Sequence, residues 1–174
     1  MRGQQEGLCV LAPIVRGRGH ELRELLQDLP RGPNSPLARV EATHFARWQV
    51  IELADKGGGR VRGEPRYLLF ASEHDGEPEA YVQQLCGRLG EDAHTIWGHC
   101  AGYPGREPGA LQQYLLRHRV RPGYSVVAFP GRTVAEVRAA LAIRDRLIEF
   151  VVSTRDFDPP ALKRAWEQRF RRER

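Results

Sequence analysis

Hydrophobic positions along the chain repeat with a period of two in some stretches and of 3.6 in others, and each change of period marks a new element. Residues 7–15, GLCVLAPIV, are apolar on both alternating sets: Leu8, Val10, Ala12, Ile14 and Cys9, Leu11, Val15. That predicts a strand covered on both faces. In HELRELLQDL, Leu22, Leu25, Leu26 and Leu29 recur at i, i+3, i+4, i+7, the stripe of an amphipathic helix. Pro30 ends it, and RGPNSP reads as a loop. From His44 the period returns to two. His44, Ala46, Trp48 and Val50 form one set; Phe45, Arg47, Gln49, Ile51 and Leu53 form the other. Residues 57–59 are Gly-Gly-Gly, a long connection rather than a tight turn, and Tyr67–Ser72 is a third strand, again apolar on both sides.

SEHDGEP opens a second helix, with Pro78 in its first turn, a stripe of Val82, Leu85, Cys86 and Leu89, and Gly90 as its stop. Residues 91–109, rich in Gly and Pro, read as irregular. ALQQYLLRHRV forms a short helix through Leu111, Tyr114, Leu115 and His118. YSVVAFPG (124–131) is expected as the fourth strand. Thr133 is the expected N-cap of a long helix, with Glu136 completing a capping box. Its buried side is Val137, Ala140, Ile143, Leu147 and Phe150. PALKRAWEQRF aligns Leu162, Trp166 and Phe170 on a last helix.

The order is β-α-β-β-α-(loop and helix)-β-α-α. This is an α+β chain whose core matches the split βαβ, or ferredoxin-like, sheet, with an inserted loop-helix and extra C-terminal helices. It reads as one domain over residues 1–174, with its core at 7–151 and a helical extension at 156–174. Two helices cover only one face of four strands. The other face, also apolar, needs a cover: the same face of a second copy, which makes a homodimeric α+β barrel, or the C-terminal helices folded back.

Composition changes this picture little. In 174 residues the hydrophobic fraction is 41% and the charged fraction 28%, the range of globular domains. No apolar run is long enough to cross a bilayer, and the N-terminal apolar run is too short for a signal peptide, so the expectation is a cytoplasmic protein with no membrane partner. The net charge is +5, but acids alternate with bases through most of the chain. Only the tail KRAWEQRFRRER is clearly basic, so nucleic acid is a minor reading, confined to that tail. The cysteines Cys9, Cys86 and Cys100 form no CxxC pair, and their odd number excludes a complete disulfide framework.

Several groups are candidates for chemistry, and each also has a structural explanation. His44 is an acid/base or metal-ligand candidate, or a histidine hydrogen-bonded at a strand start. Arg47, always charged on a strand with apolar neighbours, needs a partner: Asp75, Glu73 or an anionic ligand. His99, Cys100 and Tyr103 share a loop with Gly98, Gly102, Pro104 and Gly105, the kind of loop on which sites are built; a turn hydrogen bond would explain His99 equally. His118 suits the C-terminal end of its helix. There is no HExxH, GxSxG, P-loop, helix-opening GxGxxG or zinc-type Cys/His spacing. RYLLFASE also lacks the aromatic signature of an RNA-recognition module.

Taken in order, THFARW, LLFASEHDG, IWGHCAGYPG and YSVVAFPGRT resemble a group of bacterial proteins of the dimeric α+β barrel superfamily, over roughly residues 7–151. The wider superfamily includes haem enzymes (chlorite dismutase-like proteins, dye-decolourising peroxidases, haem-degrading monooxygenases) and cofactor-free monooxygenases. The resemblance implies a small-molecule oxidoreductase with haem as the candidate cofactor. Arg47 would then stabilise an anion or a bound peroxide, His44 or Asp75 would move protons, Tyr103 would join them, and His99 would be the axial metal ligand. SEHDG departs from the GxxDG motif of the dye-decolourising peroxidases, with Ser72 in place of the first glycine. Asp75 and Gly76 then read as the turn into the second helix. The alternative is a non-enzymatic ligand-binding or assembly module, since fold alone does not determine function.

Overall fold

The computed structural model describes residues 5–52, 66–121, 123–124, 126 and 129–170. The chain divides into two compact units, Met1–Val134 and Ala135–Arg174.

The first unit is built on β1 (Gln5–Pro13), β2 (Thr43–Glu52) and β3 (Arg66–Asp75), with a short β4 (Arg119–Val120). The strands form an antiparallel sheet in the order β2-β3-β1-β4. Together with α1 (Gly19–Asp28), α2 (Pro78–Leu89), α3 (Glu91–Trp97) and α4 (Ala110–Arg117), this α+β arrangement is compatible with the ferredoxin-like one. β3 pairs along its whole length with β1, Gln5 opposite Asp75 through Pro13 opposite Tyr67. It runs three residues past the expected Ser72, because Glu73, His74 and Asp75 continue the ladder despite their polarity.

One face of the sheet is the core. Leu8, Val10 and Ala12 of β1 and Leu68 and Phe70 of β3 are almost fully buried there, against Leu22 of α1, Tyr81, Val82, Leu85 and Leu89 of α2, and Leu111, Tyr114 and Leu115 of α4. Fully burying one such side chain contributes about 1.5–3 kcal/mol. The other face is apolar but thinly covered. Its rows are Phe45–Glu73–Gly7, Arg47–Ala71–Cys9, Gln49–Leu69–Leu11 and Ile51–Tyr67–Pro13. None of these residues belongs to the core, and Phe45 is 56% exposed.

Two sequence expectations are corrected. Residues 91–97 are not irregular but form α3, because Gly90 (φ 53°) ends α2 and turns the chain straight into a new helix. That helix buries Ala93, Ile96 and Trp97, a helical spacing hidden among glycines and histidines. The fourth strand is Arg119–Val120 rather than 124–131. Residues 125, 127 and 128 lie outside the described ones, and no other residue of 124–131 is in a strand. The cause is delivery: α4 ends beside β1, the Leu11 amide donates to the His118 carbonyl, and Val120 pairs with Cys9 at once. The Gly-Gly-Gly of 57–59 lies outside the described residues.

The second unit holds α5 (Val134–Ser153) from Ala135 onward, and α6 (Pro159–Phe170). The expected α6 stripe docks on α5: Phe150, Trp166 and Phe170 form an aromatic trio with centroids 4.4–5.5 Å apart. Arg169 is paired with Glu149 at 2.9 Å, so part of the basic tail is spent on an intramolecular ion pair. Among the described residues no helix is long and apolar enough to cross a membrane.

Candidate functional site

The structure brings two of the sequence candidates together. β2 carries a bulge between Thr43 and Phe45, which pair with His74 and Glu73, so His44 is an extra residue with no partner in the ladder. Freed from alternation, its ring reaches the end of β3, where Nε2 lies 2.8 Å from Oδ1 of Asp75. Oδ2 of Asp75 accepts the Val134 amide at 2.8 Å. Gln5, opposite Asp75 in the β1 ladder, places its amide 2.9 Å from the same His44 nitrogen and also donates to the Arg132 carbonyl. One ring nitrogen cannot both donate and accept. The carboxylate requires Nε2 to donate, since that bond is charge-assisted, and this leaves Nδ1 as the basic nitrogen. Both side chains are 19% exposed. The arrangement therefore offers Nδ1 as a ring nitrogen that can accept a hydrogen bond, with Asp75 holding the tautomer.

The other candidates lie elsewhere. Arg47 is exposed on the outer sheet face, in a row with Ala71 and Cys9. Neither expected carboxylate partner reaches it, because Asp75 is taken by His44 and Glu73 lies over Gly7 on β1. The Tyr103 hydroxyl and Nδ1 of His94 are hydrogen-bonded at 2.5 Å, and burial raises the phenol pKa. His99 is buried. Its Nδ1–H donates to the Thr95 carbonyl at 2.9 Å, Nε2 stands 3.5 Å from Glu21, and its own carbonyl accepts the Val15 amide. His118 donates from Nδ1 to the Tyr114 carbonyl, as its helix-end position suggests. Gly76, at φ 84°, makes the turn after Asp75 that SEHDG predicts.

Haem, as the resemblance implies it, does not fit this arrangement within one chain. His99 stands by the Ile14–Cys100 bridge at one end of β1, whereas Asp75 faces Gln5 at the other. Nine residues of strand separate those points, about 30 Å at 3.3 Å per residue. No single macrocycle can be ligated by His99 and served by His44 and Asp75. Among the described residues no group of three or more His, Cys, Asp or Glu is placed to hold a metal ion. Nor do Cys86 and Cys100 offer a nucleophile: burial pushes the Cys86 thiol up to about 11 and that of Cys100 up to about 12.

His74 is a further candidate that no motif in the sequence marks. It is fully buried on the inner face, stacked on Tyr81 at 3.9 Å between centroids, and neither ring nitrogen has a hydrogen-bond partner. Burial first, and the positive charge of Arg119 next, push its pKa down to about 4. The Tyr81 hydroxyl lies 2.9 Å from that of Thr43. The period-two pattern held the signal, since His74 falls on the alternating set of Leu68, Phe70 and Ser72.

Comparison with models of known families, with curated proteins and with solved structures found no match.

Proposed function

We propose that the protein is a self-associating α+β module in which two copies pack outer sheet face to outer sheet face, in the manner of a dimeric α+β barrel, and enclose a small-molecule ligand. One observation supports this above the rest. The sheet is apolar on both sides, yet the helices of its own unit bury only one. The thinly covered face spans strands of nine and ten residues, about 30 Å by 15 Å, so two copies would bury on the order of 1,000 Å², the lower range of specific interfaces. The occupant of such a surface is a matching one, and a two-fold axis supplies it. Sedimentation equilibrium at micromolar concentration should give twice the mass of one chain. Leu69→Glu, which places an unpaired carboxylate in the middle of that face, should weaken association at least a hundredfold. A wild-type protein that stays monomeric at tens of micromolar ends this reading.

A second reading, a small-molecule oxidoreductase of the cofactor-free kind, is favoured by the 2.8 Å contact between His44 and Asp75. Asp75→Asn keeps the shape and removes the carboxylate that holds the His44 tautomer. Oxygen uptake with a panel of small oxidisable compounds should fall at least a hundredfold in that variant. If the wild type consumes no oxygen with any of them, the pair is structural.

A further inference from the structure

Among the described residues the outer face carries an unpaired cation, Arg47, and a poorly compensated anion, Glu73, on neighbouring rows. Arg47 is exposed on β2 and has no carboxylate partner among the described residues; its charge is felt by Cys9 on β1. Glu73 is half-buried on β3, one row away. Its carboxylate reaches the opposite way, over β1, into the space that Gly7 leaves by lacking a side chain: Oε1 is 3.3 Å from where a Cβ would sit. Burial raises its pKa more than the neighbouring His44 lowers it, and no Arg or Lys compensates it among the described residues. The chain thus holds these two opposite charges apart on a surface where they lie among Phe45, Ala71, Cys9, Gln49, Leu69 and Leu11. Leaving a carboxylate in such surroundings without a cation is costly, and a cation from outside the chain would relieve it.

We infer that Arg47 of each copy pairs with Glu73 of the other, so that this reciprocal ion pair fixes how the two sheets meet. In a two-fold interface, if residue i meets j then j meets i, so one cation and one anion per face complement each other twice. This rests on the self-association proposed above; it adds the contact that sets its register and excludes shifted pairings.

Charge reversal tests it. Arg47→Glu and Glu73→Arg should each raise the dissociation constant of the homodimer at least tenfold, because like charges then face one another at both contacts. Mixed in equal amounts, the two variants should recover wild-type affinity to within about threefold, since one chain then offers only acids and the other only bases. Mixing also controls for folding, because a misfolded chain cannot rescue its partner. Should either reversal fail to fold, R47Q, E73Q and the double variant take their place: a double variant no weaker than either single supports the pairing, and losses that multiply overturn it. Single reversals that dimerise like the wild type overturn the inference while leaving self-association intact, as does a mixture no tighter than either variant alone. A monomeric wild type removes the reading beneath it instead.

Discussion

Trp97→Ala should lower folding stability by about 3–5 kcal/mol, read as a shift of the urea midpoint at unchanged slope. Trp97 is fully buried on α3, with its ring edge-on to Trp48 at 5.9 Å and to Phe70 at 5.8 Å; those two rings are 5.6 Å apart. The trio ties α3 to two strands, so alanine would leave a cavity walled by sheet on one side and helix on the other, with little room to collapse. Trp97→Phe should cost far less, about 1–2 kcal/mol, because the indole N–H it removes has no hydrogen-bond partner and its loss offsets part of the lost packing. If Trp97→Ala were as mild as Trp97→Phe, α3 would not be part of the core.

The second large effect is on acid stability. His74 stays neutral in the folded protein down to about 4, while in the unfolded chain it takes up a proton near its ordinary value of 6.5. Between those two values the unfolded state binds the additional proton, so stability falls as the pH falls. The contribution is fully present above 6.5 and has gone by about 4; integrated over that window it is roughly 3 kcal/mol. His74→Phe keeps a ring against Tyr81 and cannot charge. Its melting temperature should be nearly flat from pH 6.5 to 4, against a steady decline in the wild type. An equal decline in both would mean that other groups govern acid unfolding.

Elements defined by a local stripe were legible in the sequence. α1 lies within a residue of its expected bounds, because Leu22, Leu25, Leu26 and Leu29 can form one face only as a helix. α2 begins at Pro78 and is capped at Gly90 for reasons visible in the chain. Elements defined by what a neighbour delivers were not. YSVVAF has the better strand composition, but RHRV is what α4 sets beside β1. The candidate site divides in the same way. His44 and Asp75 were each recognisable, but their union across 31 residues depends on the pairing of β2 with β3 and on a bulge that no periodicity announces. The distance between that pair and His99 follows from strand order and could not be read from a loop composition.

The bulge has one more consequence. Thr43 and Phe45 already face consecutive residues of β3, His74 and Glu73. A chain shortened by His44 alone would thus close into an unbroken ladder, with every later pairing from Phe45 to Glu52 untouched. The deletion that leaves this ladder intact is thus the one that removes the His44–Asp75 contact.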